Sequence, residues 1–428
     1  MPNINGYNGI DMANIASING QDVPAASSGG YTTDTSGLLI WGYDGAPGNP
    51  IPPDLMTGVD VPSSFQVWAG SSYEVKKIGT SRYGTYVLDT NGDLYTAAIG
   101  SSYSYIGRNS GTGSSQAFIL ARTGVDDMAV TLQGCITIES GSMYWTGANM
   151  RWYIGVTTTS YSTWTQYGSD TDWISIEAHP GYPYGIVALK GSSSTTAQLY
   201  VSGYNQYGRT GLGTSAGQTM TPTLGKINST TNFTDYVAQV SIGVSGIGVI
   251  TQDGKFFTTG RGQYGANGNG SSSDISYFTQ VGTDTDWEFC TVTNTAGFAI
   301  KAGQLYASSN SAFYHQITIG MTANRTYQLI DSDTDWEIVR GYQNQQTYDY
   351  DFKGVLFKKN GEWGICALNT GWNGDKADSA TSGGFTSFKN STAITNSVGS
   401  TKTIDQAYFI YNDENPALSE VGIMLYVR

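Results

Sequence analysis

A short pattern of residues recurs along most of this chain and limits the folds that it can adopt. Each copy is a strand-like run, a turn that contains Gly, and a second run of aromatic and small residues. In the clearest copy, Asn91-Gly92 supplies the positive backbone angles of a two-residue hairpin turn. The sequence contains six such hairpins, whose second strands begin at the apolar residues Leu94, Met143, Leu199, Phe256, Leu305 and Trp363.

These starting points lie 49 to 58 residues apart, which is typical of an array of similar units that stack on one another. Residues 37–41 resemble a second strand without a first, and residues 422–426 resemble a first strand without a second. Pairing the two ends would complete a further unit and close a ring. We therefore predict an all-β fold, a seven-bladed β-propeller over residues 31–428, closed by its N- and C-terminal strands and preceded by a short extension.

Two loops resemble a known repeat. Residues 203–213 read Gly-Tyr-Asn-Gln-Tyr-Gly-Arg-Thr-Gly-Leu-Gly, and residues 260–270 are a degraded copy. This motif resembles the repeat of the regulator of chromosome condensation type propellers, which implies the propeller fold. The founding activity of that family is nucleotide exchange on a small GTPase. We do not carry it over, because the residues it needs match no position here.

Charge and composition exclude several classes of partner. The chain carries 34 acidic and 21 basic residues, a net charge of -13, so nucleic acid is not an expected ligand. We find no run of 18 apolar residues and no N-terminal export signal. The three cysteines, which are more than 70 residues apart, are interpreted as small core residues.

The segment Asp-Thr-Asp-Trp occurs three times, starting at Asp170, Asp284 and Asp333. An Asp-x-Asp spacing is compatible with calcium, but both carboxylates would need a turn and further ligands to reach one ion. The alternative is a structural turn whose Trp packs between blades, and we predict that alternative with no bound metal. Residues 260–265 match a dinucleotide-binding pattern, yet no helix is predicted after them, so we expect no cofactor.

Neither of the two histidines, His179 and His315, has the spacing of a metal ligand or of a base beside a nucleophile. His179, beside two prolines, is interpreted as a surface or turn residue. A pair of carboxylates could still act as in glycosidases, which sequence cannot decide. We predict that the protein is not an enzyme.

Clusters of tyrosine fall in predicted loops. Exposed tyrosine rings offer stiff, half-polar contact area that suits glycan or protein surfaces. The alternative is packing between blades with the hydroxyl hydrogen-bonded. The candidate recognition residues are Tyr103, Tyr105, Tyr182, Tyr184, Tyr204, Tyr207, Tyr348 and Tyr350.

Residues 1–30 differ from the rest: a sparse apolar pattern is followed by the polar joint Ser27-Ser28-Gly29-Gly30. The wording Asn-Ile-Ala-Ser-Ile-Asn-Gly at residues 14–20 resembles the N-terminal attachment segments of structural proteins of tailed phages. A disordered tail or a cap on the propeller is the alternative. The candidate anchoring residues are Ile4, Ile10, Met12, Ile15 and Ile18.

The sequence-based hypothesis is a non-enzymatic virion protein of a tailed phage. Residues 1–30 would bind other virion proteins, and the propeller would form a head or tail appendage that contacts a host glycan or protein, without membrane insertion. A bacterial surface or secreted carbohydrate-binding propeller and an intracellular protein-interaction propeller are the alternatives.

Overall fold

The structure is a computed structural model of the 428-residue chain. It describes residues 6–7, 10–11, 17–18, 21–22, 37–41, 65–68, 72–81, 84–98, 106–107, 118–148, 150–156, 160–179, 185–213, 220–226, 236–244, 246–293, 295–309, 324–341, 354–367, 386–387, 403–410 and 422–427.

The N-terminal segment contains two hairpins of two-residue strands. They are β1 (Gly6–Tyr7) with β2 (Ile10–Asp11), and β3 (Ser17–Ile18) with β4 (Gln21–Asp22). In both cases the two residues between the paired strands are Asn-Gly, which favours the tightest hairpin connection. Strands β5 (Gly37–Trp41) and β6 (Phe65–Trp68) follow.

Six antiparallel sheets, each built from four consecutive strands, form blades 1 to 6. Blade 1 contains β7 (Val75–Ser81), β8 (Gly84–Asp89), β9 (Leu94–Ala98) and β10 (Ile119–Arg122). Blade 2 contains β11 (Asp127–Thr131), β12 (Gly134–Glu139), β13 (Ser142–Ala148) and β14 (Ser160–Tyr167). Blade 3 contains β15 (Trp173–His179), β16 (Gly185–Lys190), β17 (Gln198–Tyr204) and β18 (Met220–Lys226).

The next three blades repeat this order. Blade 4 contains β19 (Val237–Ile242), β20 (Gly246–Thr251), β21 (Phe256–Gly260) and β22 (Ile275–Gln280). Blade 5 contains β23 (Trp287–Val292), β24 (Gly297–Lys301), β25 (Gln304–Ser309) and β26 (Asn324–Asp331). Blade 6 contains β27 (Trp336–Gly341), β28 (Gly354–Lys359), β29 (Glu362–Ala367) and β30 (Thr386–Ser387).

The two ends of the chain share one further four-stranded sheet, which we call the composite sheet. Its order is β31 (Ile404–Ile410), β32 (Gly422–Val427), β5 and β6. The register runs from Ile423 opposite Trp41 to Val427 opposite Gly37, so the predicted pairing of the terminal strands is confirmed. The structure thus has six blades that are each continuous in sequence, rather than the seven blades predicted.

Helices are minor in this all-β propeller. The described residues include α1 (Arg151–Ile154) and the 3-10 turns Ser194–Thr196 and Gln206–Gly208. No helix of the described residues is long and apolar enough to cross a membrane.

The hydrophobic core lies between blades. All six residues of β8 and all six of β20 are buried, because neighbouring blades cover both faces of each second strand. Ile136 and Trp145 of blade 2 join one cluster with Trp173 and Ile186 of blade 3. A single blade therefore cannot bury its own apolar surface.

The predicted hairpin turns are only partly correct. Ser140-Gly141 and Asn360-Gly361 have positive φ at both positions, 47° and 78° in one turn and 50° and 75° in the other, as a two-residue turn requires. At Asn91-Gly92 the prediction of a two-residue turn is wrong, since only Gly92 has positive φ, at 84°. The Asp89 carboxylate accepts hydrogen bonds from the Asn91 and Asp93 amides, both at 3.0 Å, which stabilises a four-residue loop instead.

Two loops that follow third strands each pack a glycine against an aromatic ring of the next blade. Gly211 of blade 3 has φ +69°, and a Cβ there would overlap the ring of Phe278 in blade 4. Gly268 of blade 4 lies against Tyr327 of blade 5 in the same way, with φ +67°. Only glycine allows both the left-handed backbone and the close approach.

We predict that the composite sheet is essential for stability. Deleting residues 421–428 should lower the free energy of unfolding by several kcal/mol, since Leu425, Tyr426 and Val427 are at most 4% exposed and each buried side chain contributes about 2 kcal/mol. Thermal unfolding of this variant, beside a control that lacks only Arg428, measures the effect. A truncated chain that melts like the control would contradict the closure.

We predict that Gly211→Ala destabilises the protein more than Gly282→Ala. Both glycines have positive φ, +69° and +65°, but no atom lies within 4 Å of a Cβ added at Gly282. The backbone cost of about 1 kcal/mol is therefore shared. Overlap with Phe278 should add roughly 1–3 kcal/mol to the Gly211 variant. Equal denaturation midpoints for the two variants would show that the ring yields without cost.

Candidate interaction surfaces

The first strands of the six blades and Tyr408 of β31 line a central cavity of about 650 Å³. The strands lie around one axis, with residues such as Lys77, Glu177, Gln239 and Arg340 on its wall. Because inner strands of adjacent blades do not share a sheet, contacts across this wall must come from side chains.

A charged cluster joins three blades at this wall. Lys77 Nζ lies 3.2 Å from Asp127 Oδ1 and 2.8 Å from Glu177 Oε1. It also donates to the Ile176 carbonyl at 3.0 Å. The second oxygen of Asp127 accepts the Ile176 amide at 2.8 Å, so inner strands of blades 1, 2 and 3 are tied together.

The surroundings of these groups set their protonation. Burial works to lower the pKa of Lys77, but the carboxylates of Asp127 and Glu177 outweigh it and raise that pKa above its ordinary value. Burial raises the pKa of Glu177, although Lys77 acts in the opposite direction. Lys77 is therefore a firmly protonated cation and not a nucleophile at neutral pH.

Polar side chains make similar links around the rest of the wall. Gln239 of blade 4 accepts the Cys290 amide of blade 5 at 3.1 Å and donates to the Cys290 carbonyl at the same distance. Ser241 Oγ accepts the Val292 amide at 3.1 Å. Arg340 of blade 6 donates to the Ala407 carbonyl of the composite sheet at 2.7 Å. These bonds satisfy the open edges of the inner strands.

The first aspartate of each Asp-Thr-Asp-Trp segment forms an ion pair with a lysine. In blade 5, Trp287 pairs with Lys301 across the first two strands, and Lys301 Nζ lies 2.8 Å from Asp284 and 5.2 Å from the Trp287 ring. The other two segments repeat this arrangement, with Lys190 beside Asp170 at 2.9 Å and Lys359 beside Asp333 at 2.6 Å. The hydrogen bond that Lys190 donates to the Asp170 carboxylate raises the pKa of Lys190.

Each segment is also bonded to the preceding blade. The Trp173 amide donates to the Gly141 carbonyl, the Trp287 amide to Gly254 and the Trp336 amide to Gly303, all at 3.0 Å. The Trp rings are buried between blades. These contacts favour the structural interpretation of the segments, because the first carboxylate of each faces an ammonium group.

The tyrosine candidates differ in their environment. Tyr204 is 7% exposed and packs inside the fold, so it is not an exposed recognition ring. Tyr207 is half-buried, and its ring centroid lies 4.6 Å from the guanidinium carbon of Arg261. The remaining candidates lie outside the described residues: Tyr103, Tyr105, Tyr182, Tyr184, Tyr348 and Tyr350.

The anchoring candidates are described only in part. Ile10 lies in β2 and Ile18 in β3. Ile4, Met12 and Ile15 lie outside the described residues.

The prediction for His179 was wrong, and the prediction for two of the cysteines is confirmed. His179 is buried at the end of β15, so its interpretation as a surface or turn residue is wrong. Cys135 and Cys290 are buried core residues, and burial raises the pKa of both thiols. His315 lies outside the described residues, as does the side chain of Cys366.

We predict that chelator leaves the melting temperature unchanged. Among the described residues, no three His, Cys, Asp or Glu side chains are placed to hold an ion, and Asp170, Asp284 and Asp333 face lysines. A bound cation would add linked stability that its removal withdraws. Thermal melts with and without EDTA test this, and a drop that calcium restores would assign a metal to these segments.

No protein-family model matches the sequence. Solved structures do match the fold. The structure of Prp20p from Saccharomyces cerevisiae, reported with its binding properties to Gsp1p and histones, has a TM-score of 0.64 at 11% identity, over 92% of each chain. Human WBSCR16 has a TM-score of 0.62 at 11% identity, over 91% of this chain and 98% of that one.

A third match is the structure of Kap60 bound to yeast RCC1 (Prp20). Its TM-score is 0.63 at 11% identity, over 93% of this chain and 90% of the matched chain. These similarities show the fold alone: the chain has the β-propeller architecture of RCC1-type proteins, as its loop repeats predicted.

Proposed function

We propose that this protein is a non-enzymatic structural protein of a tailed-phage virion, attached through residues 1–30 and displaying its propeller as an appendage for binding. The composite sheet is the seventh blade of a closed ring in this proposal. The support comes from four features of the chain: its N-terminal hairpins, its fold, the charged cluster on the wall of its central cavity and the sequence of residues 14–20.

The observation that carries the proposal is the form of the N-terminal segment. Strands β1 to β4 form two separate two-stranded sheets, and neither hydrogen-bonds to a propeller sheet in the described part of the chain. An isolated two-stranded hairpin is marginal in water. Such a segment gains stability when it orders against the surface of another protein or adds to a sheet edge there.

The fold supports a binding role. Prp20p was studied for its binding to Gsp1p and histones, and yeast RCC1 (Prp20) for its complex with Kap60. In this chain, Lys77 and its two carboxylates link three blades, which favours a structural role for the channel over a catalytic one. The sequence of residues 14–20, which resembles the attachment segments of tailed-phage structural proteins, favours a location in the virion.

An intracellular protein-interaction propeller is the second candidate, and the similarity to yeast RCC1 over nine-tenths of both chains favours it. The two candidates differ in where the chain is found. Detection by mass spectrometry in purified particles, at constant copy number, supports the virion protein.

We predict that a variant without residues 1–26 folds but does not assemble onto particles. The deletion removes β1 to β4 and leaves β5 in the composite sheet, so the melting temperature of the propeller should change little. Particles produced with the variant in place of the intact chain are assayed for its copy number.

A second variant tests the same anchor by point substitution: Ile10→Asp together with Ile18→Asp in the full-length chain. Loss of incorporation in both variants supports an apolar anchor. Incorporation at normal copy number in both would show that the propeller itself docks onto the particle.

A further inference from the structure

Three blades bring arginine and tyrosine side chains together at one end of the propeller. This end, the loop face, carries the loops that follow third strands. Tyr207 lies in the loop after β17, Arg261, Gln263 and Tyr264 lie in the loop after β21, and Arg325 lies at the start of β26. We call these five residues the Arg-Tyr patch.

Gln263 connects the two arginines. Arg261 donates through Nη2 to the side-chain oxygen of Gln263, and Arg325 Nη2 donates to the Gln263 carbonyl at 3.3 Å. The Arg261 guanidinium carbon lies 4.6 Å from the Tyr207 ring centroid and 4.9 Å from that of Tyr264. Two cations and two aromatic rings are thus held within one small surface, and Gln263 itself is exposed.

Within the described part of the chain, the two arginines of the patch lack the carboxylate partner that most of the lysines have. Most described cations are paired with carboxylates: Lys77, Arg122, Lys190, Lys255, Lys301, Lys358 and Lys359. Arg261 and Arg325 have no carboxylate at ion-pair distance among the described residues. Asp274, the acid of the same loop, instead accepts the Gly262 amide at 3.0 Å.

The backbone beneath the patch is strained. Tyr207 has φ 65° and ψ 16°, a left-handed conformation that is unfavourable for a residue other than glycine. Gly208, the buried residue that follows it, lies so close to Ser276 of blade 4 that an added Cβ would overlap. This contact between blades maintains the strained turn that presents the Tyr207 ring to Arg261. Strain of this kind clusters at binding sites.

We propose that the Arg-Tyr patch binds an acidic saccharide, a sugar that carries a carboxylate. Guanidinium N–H groups form paired, charge-assisted hydrogen bonds with a carboxylate. Rings of tyrosine supply stiff, half-polar surface for the apolar face of a sugar. The overall charge of -13 repels a polyanion, so a ligand with one local carboxylate suits the patch better than nucleic acid.

This inference goes beyond the proposed function and does not depend on it. The binding experiment uses the purified full-length chain, so its outcome is separate from incorporation into particles. Titration with 3′-sialyllactose, followed by calorimetry, should show saturable binding. Lactose, which lacks the carboxylate, should bind at least about tenfold more weakly, the loss expected for a charged hydrogen-bonded pair. Inorganic phosphate is the test for a site that binds any anion.

Variants locate the site. Arg261→Gln should weaken binding of 3′-sialyllactose by about tenfold or more, whereas Lys255→Gln, on the opposite end of blade 4 beside Asp253, should leave it unchanged. Asp274→Asn removes a nearby negative charge and should strengthen binding. Its gain cannot come from misfolding, and the melting temperature of each variant is measured in parallel.

Several results would overturn the proposal. They are equal binding of lactose and 3′-sialyllactose, binding of phosphate as tight as that of the acidic sugar, no binding of either sugar, or unchanged affinity in folded Arg261→Gln. Binding of the acidic sugar that Arg261→Gln weakens and Asp274→Asn strengthens supports it.

Discussion

Packing between blades is the constraint on which the rest of this structure depends. Each second strand is covered on both faces, so a four-stranded sheet alone would leave rings such as Trp287 and Phe256 in water. The ladders of backbone hydrogen bonds between strands end at the edge of every sheet. Neighbouring blades are joined by buried aromatic rings, by glycines that pack against such rings, by side chains that bond to the next inner strand, and by single backbone hydrogen bonds such as that from the Trp287 amide to the Gly254 carbonyl. The pairing of β32 with β5 joins the two ends of the chain in one sheet.

The same arrangement separates three kinds of surface. On the wall of the central cavity, Lys77 contacts Asp127 and Glu177. These contacts join the blades and keep the lysine charged. The lysines beside the Asp-Thr-Asp-Trp segments lie where first strands begin. The loops that follow β17 and β21 lie at the other end, where each packs against the next blade. Residues far apart in sequence lie close together there, and loops that a rigid scaffold positions in this way often carry binding residues.

Much of the fold was predictable because hairpins are local. The phase of the repeat predicted that residues 422–426 pair with residues 37–41, and the structure confirms the pairing. Prediction was less successful where a side chain competes with the backbone. At Asn91-Gly92 the Asp89 carboxylate bonds two amides and lengthens the turn. Tyr204 and His179 have polar character, yet both are buried in the folded chain.

The sequence by itself determined the β architecture, the number of hairpins and the pairing of the chain ends, because turn residues and strand patterns act over fewer than ten residues. Only the tertiary structure decided which side chains share a site. Arg261 meets Tyr207, and Arg325 meets Gln263, because segments of three blades pack side by side. Lys77 meets Glu177 because their strands face one central cavity. These contacts span roughly 50 to 100 residues of chain, a separation over which no local pattern carries information.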